Sequence, residues 1–168
     1  DRPQRLDALA AFPRHGARAD LHALDDVDGG RRLEELEERG ILVNQAAAQP
    51  QVDFLGIEWA RKYYRSTVDR IGRRGLTNVR VIRADAPVLL RDFIGAGTVD
   101  CFHIYFPDPW HKKRHNKRRL VNPGFAALLV RKLAPDGRLH LATDWQDYAE
   151  QMWDVLDATA GLVNAAGP

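Results

Sequence analysis

The chain has 168 residues, 45% of them apolar and 29% charged, with a formal net charge of +2. That length suits one domain with a sizeable core, and a single cysteine excludes a small scaffold held by disulfides. No apolar run reaches the ~18 residues of a membrane span and no N-terminal signal pattern is present, so a soluble, cytoplasmic protein without a membrane partner is expected.

Residues 1–32 are broken by Pro3, Pro13, Gly16, Gly29 and Gly30 and read as an N-terminal arm, with a short helix around Leu6 to Phe12. Residues 33–168 read as the folded domain. Its first element is a helix over 33–48, interrupted at Gly40 and ended before Pro50. Val52 to Glu58 is a short apolar run closing on a carboxylate, hence a buried strand. Ala60 to Arg74 carries helical spacing, with Tyr64, Val68 and Ile71 on one face and Gly75 as its stop. A second strand, Asn78 to Arg83, is followed by Ala84-Asp85-Ala86 and a helix from Val88 to Phe93. Val99 to Phe106 is a third strand, and Cys101 within it reads as a buried, inert thiol. Pro123 opens a helix over Gly124 to Leu133, where proline is favoured. Pro135-Asp136-Gly137 then turns into the strand Arg138 to Ala142, and Gln146 to Ala158 is a last amphipathic helix.

Strands alternating with helices of this length predict an α/β fold, a mostly parallel sheet with helices on both faces. Each strand ends in, or is soon followed by, an acid: Glu58, Asp85, Asp108 and Asp144. In open α/β sheets ligands bind beyond the carboxyl ends of the strands, so the four acids are expected on one ligand-facing rim. Glu58 stands where an acid bonds the ribose hydroxyls of a nucleotide-like cofactor, and Asp85 with the small Ala86 suits an adenine edge. Both NAD and S-adenosylmethionine are compatible with that pair.

The most informative segment is 106–119, Phe-Pro-Asp-Pro-Trp-His-Lys-Lys-Arg-His-Asn-Lys-Arg-Arg. Asp108 is clamped between two prolines, and residues 112–119 carry six positive charges. Subtracting +6 from the chain total of +2 leaves the remainder at −4, so the positive charge is concentrated in one strip. A carboxylate beside a polyanion-binding strip points to a nucleic-acid substrate. No metal is expected: apart from His111 and His115 inside the basic strip, the histidines lack ligand spacing, and His103 and His140 read as core or rim residues. Neither a Ser-His-Asp arrangement nor a phosphate-binding Gly-Lys-Ser/Thr loop is present.

These residues carry a resemblance. The pattern Phe-Pro-Asp-Pro-Trp-x-Lys-x-Arg-His-x-Lys-Arg-Arg is similar to the hallmark of the tRNA (guanine-N7-)-methyltransferase family. Gly56-Ile57-Glu58, Ala84-Asp85-Ala86 and Ala142-Thr143-Asp144-Trp145 stand at matching intervals, over about residues 41–158. The resemblance implies a Rossmann-like methyltransferase domain that uses S-adenosylmethionine to methylate N7 of a guanine in the variable loop of tRNA. By position it implies Asp108 as catalytic and cofactor-facing, Glu58 at the ribose, Asp85 and Ala86 at the adenine, and Glu37 as the relic of the first motif's acid. It implies substrate contacts at Lys112 and Asp144, and an RNA-holding segment of Arg114, His115, Asn116, Lys117, Arg118 and Arg119.

The sequence departs from that family in lacking the glycine-rich first loop and the C-terminal strands. Leu36-Glu37-Glu38-Arg39-Gly40 runs straight into Ile41, as though residues were missing between Glu37 and Arg39. The intact remainder of the motif set favours omission of those segments from this sequence over their loss. Two rival readings stay open, a catalytically inactive RNA-binding protein of the same fold and an NAD-dependent oxidoreductase. Whether the protein is a monomer or a homodimer is also left open.

Overall fold

The computed structural model describes residues 7–12, 19–21 and 40–165. Their sheet comprises β1 (Asp7–Phe12), β2 (Ala19–Leu21), β3 (Asp53–Ile57), β4 (Val79–Ile82), β5 (Val99–Tyr105) and β6 (Leu133–Ala142). The strand order is β2-β6-β5-β1-β3-β4. Pairs β3–β4, β5–β6 and β2–β6 are parallel, while β1 runs antiparallel to both β3 and β5. It follows that β3, β4, β5 and β6 all point the same way and their carboxyl ends share one edge.

The helices are α1 (Ile41–Ala48), α2 (Arg61–Arg74), α3 (Ala86–Phe93), α4 (Pro123–Lys132) and α5 (Gln146–Asp157). Alternation along the strands assigns them to opposite faces. Ile57, Phe102, Ile104, Leu139 and Leu141 join Leu90 of α3, Leu129 of α4 and Tyr148 and Met152 of α5 in the main core. Phe54 and Val79 face the other way, packing with Val52 and with Ala46 of α1 in a smaller cluster that Ile71 of α2 also touches. The α/β architecture with a mostly parallel sheet, expected from the alternation of elements, is the one observed. Among the described residues no helix is long and apolar enough to cross a membrane.

Local chemistry explains where the helices start and stop. Asp85 caps α3 by accepting from the Val88 amide at 3.0 Å, and Asn122 caps α4 by accepting from the Phe125 amide at 3.1 Å. Gly75 ends α2 at φ 62, with its amide and that of Leu76 reaching back to the carbonyls of Gly72 and Ile71. Lys132 is buried, and its Nζ donates to the Ile94 carbonyl at 2.6 Å, just past the end of α3. Gly56 permits a close approach of α1 to the sheet, since an added Cβ would lie 2.5 Å from Leu42 Cδ2.

Several expectations need correction. Asp7–Phe12, most of the Leu6 to Phe12 stretch read as a short helix, forms the strand β1 instead. Leu-Asp-Ala-Leu-Ala-Ala favours a helix locally, but β3 and β5 each present an unpaired backbone row that an extended segment satisfies on both sides. The rest of the expected helix 33–48 is observed from Ile41 onward; residues 33–39, including Glu37, lie outside the described residues. On α2, Tyr64 and Ile71 are half-buried, but Val68 is 41% exposed because this helix covers only the edge of the sheet beside β4. Strand β6 begins at Leu133, not Arg138; its register against β5 breaks between Val99 and Cys101, and Asp136 within the irregular stretch has φ 60.

Candidate active site

Glu58 follows β3 directly. Its amide donates to the Ile82 carbonyl at 3.0 Å, extending the β3–β4 ladder, and its carboxylate Oε1 accepts from the Ala60 amide. The residue is only 5% exposed, so a charged group is held at the rim by its own chain two residues on. Trp59 beside it is exposed, and the Arg83 guanidinium sits 5.8 Å from its ring centre. Asp85 is half-buried at the end of β4, followed by the fully buried Ala86. Its Oδ1 caps α3, so at least one carboxylate oxygen already has a structural task.

Asp108 lies just beyond β5 in a turn with unusual backbone. Phe106 (φ 50) and Trp110 (φ 48) both occupy the left-handed region, which bulky side chains rarely enter. Such conformations cost on the order of 1–3 kcal/mol each and persist only where the surroundings over-determine them. Three bonds do so here. The Phe106 amide donates to the Ala142 carbonyl of β6 at 2.8 Å, Asp108 Oδ1 accepts from the Trp110 amide at 3.0 Å, and Arg119 Nε donates to the Pro109 carbonyl at 2.8 Å. Asp108 is therefore a fixed, half-buried carboxylate.

The basic strip begins immediately afterward and folds as a 3-10 helix, Lys113–Arg118. Lys112, Lys113, Arg114, Lys117 and Arg118 are exposed, and His115 and Asn116 are half-buried. Trp110 anchors this helix to the Asp108 turn: the Arg118 guanidinium lies 4.8 Å from its ring centre, and His115 meets it edge-on at 5.6 Å. Burial, followed by the charges of Arg118, Arg114, Lys112 and Lys117, pushes the His115 imidazole below its ordinary value. Asn116 Oδ1 is a buried acceptor without a protein partner.

Asp144 is exposed beyond β6, next to the buried Thr143, whose hydroxyl accepts from the Trp145 amide at 3.3 Å. Trp145 packs against His111 at 4.3 Å, so the turns after β5 and β6 touch through these rings. Glu58, Asp85, Asp108 and Asp144 all follow strands that end on the same sheet edge, as their spacing predicts.

Arg119 does not share the environment of the strip to which its sequence position assigns it. It is 2% exposed, and besides Pro109 its guanidinium donates to Gln151 Oε1 at 2.7 Å and to the Asp147 carboxylate, with the Tyr148 ring 4.8 Å away. The sequence reading missed Asp147, Tyr148 and Gln151 as parts of the site. Their signal was faint: Tyr148 and Gln151 stand three apart on α5, the spacing that brings two side chains to one helix face.

A second polar group lies on the sheet away from the rim. His103 on β5 contacts Cys101 Sγ through Nε2 at 3.3 Å and the Tyr105 hydroxyl through Nδ1 at 2.8 Å. Its ring stacks on His140 of β6 at 4.8 Å with planes 10° apart. Both His103 nitrogens are engaged within the protein, and the potential ligand atoms of Cys101, His103 and His140 lie within 4.8 Å of one another. Burial, and then the neighbouring His140, lower the His103 pKa to about 4.

A family model described as "Putative methyltransferase" matches residues 38–167. The chain is 53% identical over 154 residues to a tRNA (guanine-N(7)-)-methyltransferase of Xanthomonas axonopodis pv. citri, covering 91% of this chain and 59% of that protein. It is 54% identical over 122 residues to a protein of the same name from Xylella fastidiosa strain M12, covering 73% of this chain and 50% of that one. The chain thus spans about half to three-fifths of the length of these curated relatives.

Proposed function

Because the chain belongs to this putative methyltransferase family, we propose that it forms the core of an enzyme that methylates N7 of a guanine in the variable loop of tRNA. S-adenosylmethionine is the donor and the cytoplasm the setting. One observation carries the reading: a fixed carboxylate, Asp108, and an exposed basic helix emerge from the same strained turn at the ligand-binding edge of a parallel sheet.

The residues at that edge suit the donor by their chemistry. Carboxylates after β3 and β4, Glu58 and Asp85, are acceptors for the hydroxyls of a ribose and the exocyclic amine of an adenine, and Ala86, fully buried in the core, directly follows Asp85 in the chain. When bound, S-adenosylmethionine supplies a methyl group on a positively charged sulfur. Guanine N7 has an in-plane lone pair and no proton, so the residues have no proton to remove. Their task is alignment and charge stabilisation. Asp108, anchored on the Trp110 amide, sets a negative charge where positive charge moves toward the base. Lys112 is placed to donate to guanine O6 or to a phosphate, and Arg114, Lys117 and Arg118 attract the RNA backbone. His115 and Asn116, half-buried between these cations, add uncharged hydrogen-bonding side chains to the strip.

Incubation of the full-length enzyme with methyl-labelled S-adenosylmethionine and unmodified tRNA tests this. Label is expected in N7-methylguanine of the variable loop. Retained tRNA binding with no label in that nucleoside would establish the inactive RNA-binding reading, and tight NADH binding the oxidoreductase one.

A further inference from the structure

We propose that Arg119 is a positioning residue for methyl transfer: it locks the Asp108 turn and the closing end of the basic loop onto α5, and it does not contact RNA. The proposal rests on the methyl-transfer reading of the same edge.

The geometry is that of a clamp. Arg119 ends the basic loop, ten residues after Pro109, and its Nε holds the Pro109 carbonyl at 2.8 Å, one residue beyond Asp108. The other guanidinium nitrogens leave in different directions, one to Gln151 Oε1 at 2.7 Å, the other to the Asp147 carboxylate. Both acceptors belong to α5, as does the Tyr148 ring against which the guanidinium packs. The same helix holds the chain two residues further on. The Val121 amide donates to the Tyr148 hydroxyl at 3.0 Å, and Gln151 Nε2 donates to the Val121 carbonyl at 3.1 Å. Both ends of the loop are thereby tied to one rigid element.

Physical chemistry then separates Arg119 from its neighbours. A cation that serves RNA must be reachable by phosphate, whereas the Arg119 side chain is 1% exposed and its charge is answered by Asp147. Lysine cannot substitute, because one compact ammonium lacks the planar fork that reaches acceptors on two sides. The strained Phe106 and Trp110 need surroundings that hold them, and the Arg119–Pro109 bond supplies a long-range part of that restraint. Loss of the clamp lets the turn relax, and a carboxylate displaced by about 1 Å loses much of its rate advantage.

The test compares Arg119→Lys, Gln151→Leu and Arg118→Ala in the full-length enzyme, after thermal melts confirm folding. For Arg119→Lys we expect kcat to fall at least ~30-fold, with KM for tRNA within ~3-fold of wild type and an unchanged dependence of tRNA affinity on salt. Amide exchange across residues 106–112 should speed up while β5 and α5 stay protected. Gln151→Leu, which changes no charge, should shift kcat and exchange the same way by ~5-fold. Arg118→Ala supplies the opposite signature, a raised KM and a salt slope shallower by about one. An Arg119→Lys enzyme with the Arg118→Ala signature overturns the proposal, as does wild-type loop exchange in both Arg119→Lys and Gln151→Leu. If the wild type methylates no tRNA, the reading of function fails on its own, and the exchange measurement still decides whether Arg119 holds the turn.

Discussion

The two halves of the carboxylate edge are built differently. After β3 and β4, Glu58 and Asp85 are bonded by amides two and three residues along their own chain, so each site is a local turn. After β5, Asp108 also has a local bond, but its turn is held by Ala142, 36 positions from Phe106, and by a clamp to α5 that spans 28 to 32 positions. Local turns form wherever their few residues do. The Asp108 turn exists only when β6 and α5 are in place, which couples the Asp108 carboxylate and the basic helix to the integrity of the whole second half.

The comparison breaks most visibly at Asp108. Asp108→Ala should lower the rate of methyl transfer by ~10³-fold or more, the scale of losing a preorganised electrostatic group, while tRNA affinity measured by filter binding stays near wild type. Near-normal turnover in that variant would remove Asp108 from the chemistry.

A smaller effect concerns acid. In the β5–β6 half, burial lowers the pKa of His103 to about 4 against an ordinary 6.5. The unfolded chain therefore binds more protons than the folded one between those values, so stability rises with pH from 4 to 6.5 and this contribution is flat above. Each pKa unit corresponds to ~1.4 kcal/mol, so His103 accounts for roughly 3 kcal/mol lost on acidification. Denaturant melts should show a shallower pH dependence for His103→Gln than for wild type across that window; equal slopes would refute the assignment.

The smallest effect is local. Asp85→Ala removes the α3 cap and should cost about 1 kcal/mol of stability, with a weakened hold on S-adenosylmethionine measurable by calorimetry. Stability loss with unaltered affinity would make Asp85 a cap alone.

Most of the edge was legible because strand and helix signals are short-range: apolar runs closed by Glu58, Asp85, Asp108 and Asp144, proline and glycine at the right ends, and charge packed into 112–119. Two features were not. The segment Asp7–Phe12 has helix-forming composition yet is a strand, because pairing with β3 and β5 outweighs local preference. Arg119 has the composition of the basic strip yet lies inside, because Pro109, Asp147 and Gln151 converge on it from separate elements.

The order of residues alone thus determined most of the elements from Val52 onward, which acids follow the strand ends, and that a carboxylate stands beside a cationic strip. Tertiary structure decided which cation faces inward and which strand fills the space between β3 and β5. The reason is physical: periodicity and turn chemistry act over a few residues. Burial of a charge and satisfaction of a strand's backbone depend on partners that only the completed fold brings within bonding distance.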